Sequence, residues 1–162
     1  MNKKIIYFTF IFFQFLWSQD ISPNFSLKKI NGRSVKIGEY LKDGPVLINF
    51  WATWCAPCKK EMVFLDEFEK EYKKEGFSVL SVSIDNQKSL SQVRSYVRVN
   101  NYSFDVFLDP NMQVFKKMNG NLMPTNILLD QKGNIIWRHY GYLPGDEKNM
   151  NLQIRSALNL NS

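Results

Sequence analysis

The chain reads as an α/β domain with a central mixed sheet and helices on both faces. Three observations lead there. Strand-period and helix-period segments alternate through most of its 162 residues, the pattern of a layered sheet with crossover helices. Residues 46–51, Val-Leu-Ile-Asn-Phe-Trp, form a short apolar run, the mark of a strand covered on both sides. Two late strand patterns are separated only by Gln131-Lys132-Gly133, so they close as a hairpin.

In chain order, Asn31-Gly32 lies between alternating residues over 25–35, a strong hairpin signal. Residues 37–41 read as a short turn or helix, broken by Asp43-Gly44-Pro45. Strand 46–51 leads into a helix over 57–75. There Met62, Leu65, Phe68 and Tyr72 recur at helical spacing, and Gly76 is the stop. Residues 77–84 form a second buried strand. Leu90, Val93, Tyr96 and Val97 give a helix over 88–99, and 104–108 reads as a strand ended by Asp109-Pro110. A short helix over 112–118 follows, then strands at 125–130 and 134–140. A last helix over 150–158 is started near Asp146.

Composition narrows the class. Apolar residues make up 44% and the net charge is +6, ordinary for a globular protein. No basic run is interleaved with aromatics, so nucleic-acid binding is not expected. There is no internal repeat, Gly-rich phosphate loop or low-complexity tract. Residues 1–18 read as a secretory signal: Lys3 and Lys4, then an apolar run of 13 residues over 5–17, then small Ser18 before Gln19. An uncleaved signal anchor is the alternative. The segment holds no cysteine for a lipid anchor. Cleavage leaves 19–162 as one domain, charged +4 and outside the cytosol, where disulfides persist.

The chemistry concentrates in Trp51-Ala52-Thr53-Trp54-Cys55-Ala56-Pro57-Cys58-Lys59-Lys60-Glu61, which holds both cysteines of the chain. Pro57 suits the first turn of a helix, where its missing N–H is not needed. Cys55 then sits at the helix start, near unpaired N–H groups and the positive dipole end, which favours thiolate. Cys55 is therefore the expected attacking sulfur. Cys58, one turn inside, is the expected resolving one. Lys59 and Lys60 read as solvated surface. Cys58, Glu61, Leu65, Phe68 and Tyr72 step by three and four, so Glu61 shares a face with Cys58. A poorly solvated Glu61 carboxyl has a raised pKa and can move protons. An exposed first-turn Glu complementing the dipole fits the spacing as well.

This motif resembles the thioredoxin superfamily, and within it the extracytoplasmic TlpA/ResA-like (AhpC/TSA-type) thiol–disulfide oxidoreductases. Leu122-Met123-Pro124-Thr125-Asn126-Ile127-Leu128-Leu129-Asp130 is similar to the family's cis-proline loop and next strand. Gly133-Asn134-Ile135-Ile136-Trp137-Arg138-His139-Tyr140-Gly141 is similar to its last strand. The resemblance implies a thioredoxin-like fold with an added N-terminal hairpin and an inserted helix–strand at about 86–109. It implies a redox-active Cys55–Cys58 disulfide and no cofactor or metal. Thioredoxin itself carries a buried Asp six residues before its first cysteine; Asn49 stands there in this chain. The ResA-like branch has a Glu three residues after its second cysteine, and Glu61 matches it. Met123, Pro124 and Thr125 would form the client-binding ledge through a cis peptide, with Trp54 as a flat apolar contact and Trp51 in the core.

The activity implied is periplasmic, mainly reductive exchange with disulfide-containing client proteins, apocytochrome c among them, recharged by a membrane thiol electron donor. A monomer is expected. Two alternatives stay open. One is a copper metallochaperone or client-binding module using the cysteines and His139, the single histidine; its family spacing, C-x-x-x-C, is absent. The other is an oxidant that forms disulfides. A peroxiredoxin reading fails because P-x-x-x-T-x-x-C is missing before Cys55.

Overall fold

The computed structural model describes residues 26–160. The signal segment expected over 1–18 lies outside them. Among the described residues, no helix is long and apolar enough to cross a membrane.

The expected mixed sheet is present. Its strands in chain order are β1 (Ser26–Lys29), β2 (Ser34–Lys36), β3 (Val46–Trp51), β4 (Ser78–Ser83), β5 (Asp105–Leu108), β6 (Thr125–Leu129) and β7 (Ile135–Tyr140). They lie side by side as β2-β1-β5-β4-β3-β6-β7. The central strands β3, β4 and β5 run parallel, β6 is antiparallel to β3, and β7, antiparallel to β6, runs in the direction of β3 again. The helices are α1 (Gly38–Leu41), α2 (Ala56–Tyr72), α3 (Leu90–Asn100), α4 (Gln113–Lys117) and α5 (Asp146–Ala157).

Strand parity assigns the helices to faces. Phe50, Val82 and Phe107 are in register across β3, β4 and β5. Phe115 of α4 packs edge-on against Phe50, and Tyr40 of α1 against Phe107. Asn49 and Trp51 point the other way. Glu61 of α2 bonds Asn49, Tyr96 of α3 packs on Trp51, and the Tyr72 hydroxyl of α2 donates to Asn151 of α5 at 2.7 Å. Both faces of β3 are thus covered, and every one of its residues is buried.

The N-terminal hairpin turns through three residues, 30–32, not through Asn31-Gly32 alone. Lys29 N–H donates to Arg33 O at 2.8 Å, and Gly32 sits at φ +93°. A three-residue loop ending in a left-handed glycine is the next commonest hairpin closure. The inserted segment supplies α3 and β5, and β5 joins the hairpin to the sheet by pairing antiparallel with β1. After α2, a 3₁₀ turn (Lys73–Glu75) ends at Gly76, φ +89°. There a Cβ would lie 2.0 Å from the carbonyl oxygen of Asp43. Only glycine lets the segment entering β4 pass the segment entering β3.

Candidate active site

The parallel strand β3 ends at the edge of the sheet core and hands the chain to α2 through Ala52-Thr53-Trp54-Cys55. Asp85 fixes this turn from the end of β4. It is buried, and its carboxylate accepts from Thr53 N–H at 2.9 Å, Thr53 Oγ1 at 2.6 Å and Ser83 Oγ at 2.8 Å. Trp54, at the tip, is 69% exposed.

Cys55 is the N-cap of α2. Its backbone is extended, at φ −87° and ψ +100°, and its sulfur accepts the N–H of Cys58 at 3.3 Å. The orphan donors of the helix start therefore point at this sulfur, which stabilises negative charge on it. Cys55 and Cys58 form a disulfide with Cα atoms 5.3 Å apart. Cys55 is 5% exposed and Cys58 fully buried. The less buried of the two cysteines is thus the one whose sulfur receives the helix N–H. Lys59 extends over the Tyr96 ring, 5.9 Å from its centre, and Lys60 is exposed.

Glu61 lies inside, not on the surface. Its side chain is fully buried one turn below Cys58. Asn49 Nδ2 donates to Glu61 Oε2 at 2.9 Å, and Asn126 Nδ2 to Glu61 Oε1 at 2.7 Å. Burial pushes the Glu61 carboxyl up to about 8, against the two amide bonds that lower it. Asp146 at the start of α5 adds repulsion. The proton equilibrium thus sits near that of a free thiol, about 8.5.

The Met123–Pro124 peptide is cis. Thr125 is paired with Phe50, so Pro124 lies where β6 continues beside the end of β3 that leads to Cys55. Pro124 is buried and Met123 half-buried. The Pro124 carbonyl accepts Gly141 N–H at 2.7 Å, and Thr125 Oγ1 donates to Leu122 O at 2.5 Å. The ledge is therefore held from both sides. Leu122 and Leu143 are exposed, as is Trp54.

His139 is half-buried on β7, its ring stacked on Trp137 and its Nε2 3.2 Å from Asp146 Oδ2. Among the described residues, no three His, Cys, Asp or Glu side chains converge as a metal site. Sequence reasoning missed Asn126, Asp85 and Asp146. A polar residue inside an apolar strand was the available signal for Asn126.

Similarity to known proteins agrees with this geometry. The family model described as Redoxin matches residues 18–154. The chain is 31% identical over 115 residues to the thiol-disulfide oxidoreductase ResA of Bacillus subtilis, covering 71% of this chain and 63% of that one. It therefore spans less than two thirds of ResA. Thioredoxin-like protein YneN of the same organism is 33% identical over 134 residues, covering 82% and 77%. Among solved structures, one described as a thiol:disulfide interchange protein DsbE, from Chlorobium tepidum, superposes with TM-score 0.78. It is 29% identical, covering 86% of this chain and 96% of that one. The chain belongs to the Redoxin family, as a ResA-like member of the thioredoxin superfamily.

Proposed function

We propose that the protein is an extracytoplasmic thiol–disulfide oxidoreductase that reduces disulfides in exported client proteins. The observation that carries this reading is the division of labour between the two sulfurs. Cys55 caps a helix and takes its N–H, while Cys58 and Glu61 lie buried behind it.

In the reduced enzyme the Cys55 thiolate attacks a client disulfide. One S–S bond breaks, a mixed Cys55–client disulfide forms, and the first client sulfur leaves as thiolate. Cys58 then gives its proton to the Glu61 carboxylate and attacks Cys55 Sγ. The second client sulfur leaves with the bonding pair, and Cys55–Cys58 closes. Two electrons have passed to the client, whose thiolates take up two protons. The Met123-Pro124-Thr125 ledge supplies an edge for an extended client segment, and Trp54 an apolar contact beside it. A membrane thiol donor returns two electrons and two protons.

Residues 1–18 serve as a cleaved secretory signal in this reading, with 19–162 as the working domain in the periplasm. Apocytochrome c, whose haem-binding cysteines must be free thiols, is the client class that the ResA resemblance suggests. Insulin reduction with dithiothreitol as donor tests the activity. Wild type should accelerate B-chain precipitation and Cys55→Ser should not; equal rates in both remove Cys55 from its role. Loss of c-type cytochromes on deletion of the gene tests the client.

A further inference from the structure

Two asparagines stand in strands that are otherwise built for a core. Asn49 of β3 and Asn126 of β6 face each other in register, and both are fully buried. Burying a side-chain amide is unfavourable unless it is bonded. Both amides turn to the same group, the Glu61 carboxyl.

The three side chains close a ring of three contacts. Asn126 divides its amide: Nδ2 donates to Glu61 Oε1 at 2.7 Å, and Oδ1 accepts from Asn49 Nδ2 at 2.8 Å. Asn49 uses a single atom for two contacts, since the same Nδ2 also donates to Glu61 Oε2 at 2.9 Å. Each contact needs one donor and one acceptor. Turning Asn126 over sets its Nδ2 against that of Asn49. Turning Asn49 over sets two amide oxygens together. Turning both leaves each carboxyl oxygen facing an amide oxygen, which requires two protons on a group that carries at most one. Only one arrangement pairs every contact, and in it both Glu61 oxygens accept. That is the bonding pattern of a carboxylate. A neutral acid keeps the ring only by aiming its O–H away from both amides.

The rest of the surroundings opposes the charge. Cys58 lies one turn back on α2, and Asp146 of α5 repels the carboxylate. Tyr142, between β7 and α5, donates its hydroxyl to Glu147 at 2.9 Å, and His139 of β7 is turned to Asp146. Among the described residues, no lysine or arginine pairs with Glu61. The two amides are the groups that favour its ionised form.

We propose that Asn49 and Asn126 are positioning residues for thiol–disulfide exchange, an amide pair that keeps a buried Glu61 able to ionise. Glu61 can then take the Cys58 proton as the disulfide closes and return it as the disulfide opens. This rests on the proton-handling role assigned to Glu61 above. Without the pair, burial would hold the carboxyl neutral and Cys58 would lack its base.

The test reads the carboxyl directly. Glu61 Cδ is followed by ¹³C NMR against pH in the oxidised protein, in wild type, Asn126→Leu and Asn49→Leu. Loss of a bond to a charged acceptor should raise the midpoint by about one unit or more in each variant. Asn126→Gln should restore part of the shift. Asn126→Val, suited to a buried strand, repeats the measurement if the leucine variant does not fold. In the reduced protein the pH profile of mixed-disulfide resolution by Cys58 should move up with the midpoint, which a merely structural role would not cause. A Glu61 midpoint that is unmoved or lowered in a folded variant overturns the proposal. So does a resolution profile that stays in place. Failure of the wild type to reduce insulin would remove the functional reading, yet the Glu61 titration would still report on the amide pair.

Discussion

Replacing Glu61 with Gln should change how stability depends on pH. The folded carboxyl sits at about 8 against an ordinary 4.5. The folded state therefore holds its proton over a range in which the unfolded chain has lost it. The stabilisation from that proton is fully present below pH 4.5 and is lost as pH rises through 8. Between those limits the slope is about 1.4 kcal/mol per pH unit. From pH 6 to pH 8, wild type should lose about 2–3 kcal/mol that the variant does not, with rounding near the folded midpoint. The glutamine itself leaves one ring contact mismatched, which costs about 1–3 kcal/mol at every pH and does not alter the slope. Urea unfolding of the oxidised protein, in half-unit steps, gives both curves. The stability of wild type minus that of the variant should fall steadily as pH rises, passing through zero once the proton-linked loss exceeds the mismatch cost. Parallel curves, constant to about 0.5 kcal/mol, the usual scatter for a site with no coupled proton, would refute the buried, proton-holding carboxyl.

Three further outcomes follow from the geometry. Asp85→Ala removes the acceptor of Thr53 N–H, Thr53 Oγ1 and Ser83 Oγ; urea unfolding should show a loss of about 2–4 kcal/mol, and a loss under 1 would contradict that anchoring. Gly76→Ala forces a Cβ to within 2.0 Å of the Asp43 oxygen at a positive φ, so thermal melts should show at least about 2 kcal/mol of destabilisation. Trp54→Ala, at a side chain 69% exposed, should leave stability within about 0.5 kcal/mol. It should slow reduction of a protein disulfide several-fold while sparing a small-molecule disulfide.

The parts legible in the sequence were those with local causes. Pro57 after Cys55 announces a helix start, and the spacing of Cys58, Glu61 and Leu65 announces a shared face. Strand β3 was recognisable because burial on both sides removes the polar alternation. What spacing left open was the surroundings of Glu61. The surface and buried readings predict the same periodicity, and they differ only in what the sheet presents to α2. That depends on β6 lying beside β3, which brings Asn126 to Asn49 across 77 positions of sequence. Asp85 meets Thr53 across 32. The pairing of β5 with β1 had no local signature either, since an antiparallel neighbour is chosen by the whole sheet. His139 alternates poorly with its neighbours because the edge strand β7 is half-covered on both sides.

The central claim is that Cys55 is the reactive sulfur and Cys58 the shielded one, and rates of alkylation measure this directly. In the reduced protein, iodoacetamide labelling of each cysteine is followed by mass spectrometry across pH. Cys55 should react first, with a midpoint below the ordinary thiol value of about 8.5, while Cys58 stays protected. Faster labelling of Cys58, or a Cys55 midpoint at or above that of a free thiol, would contradict the mechanism.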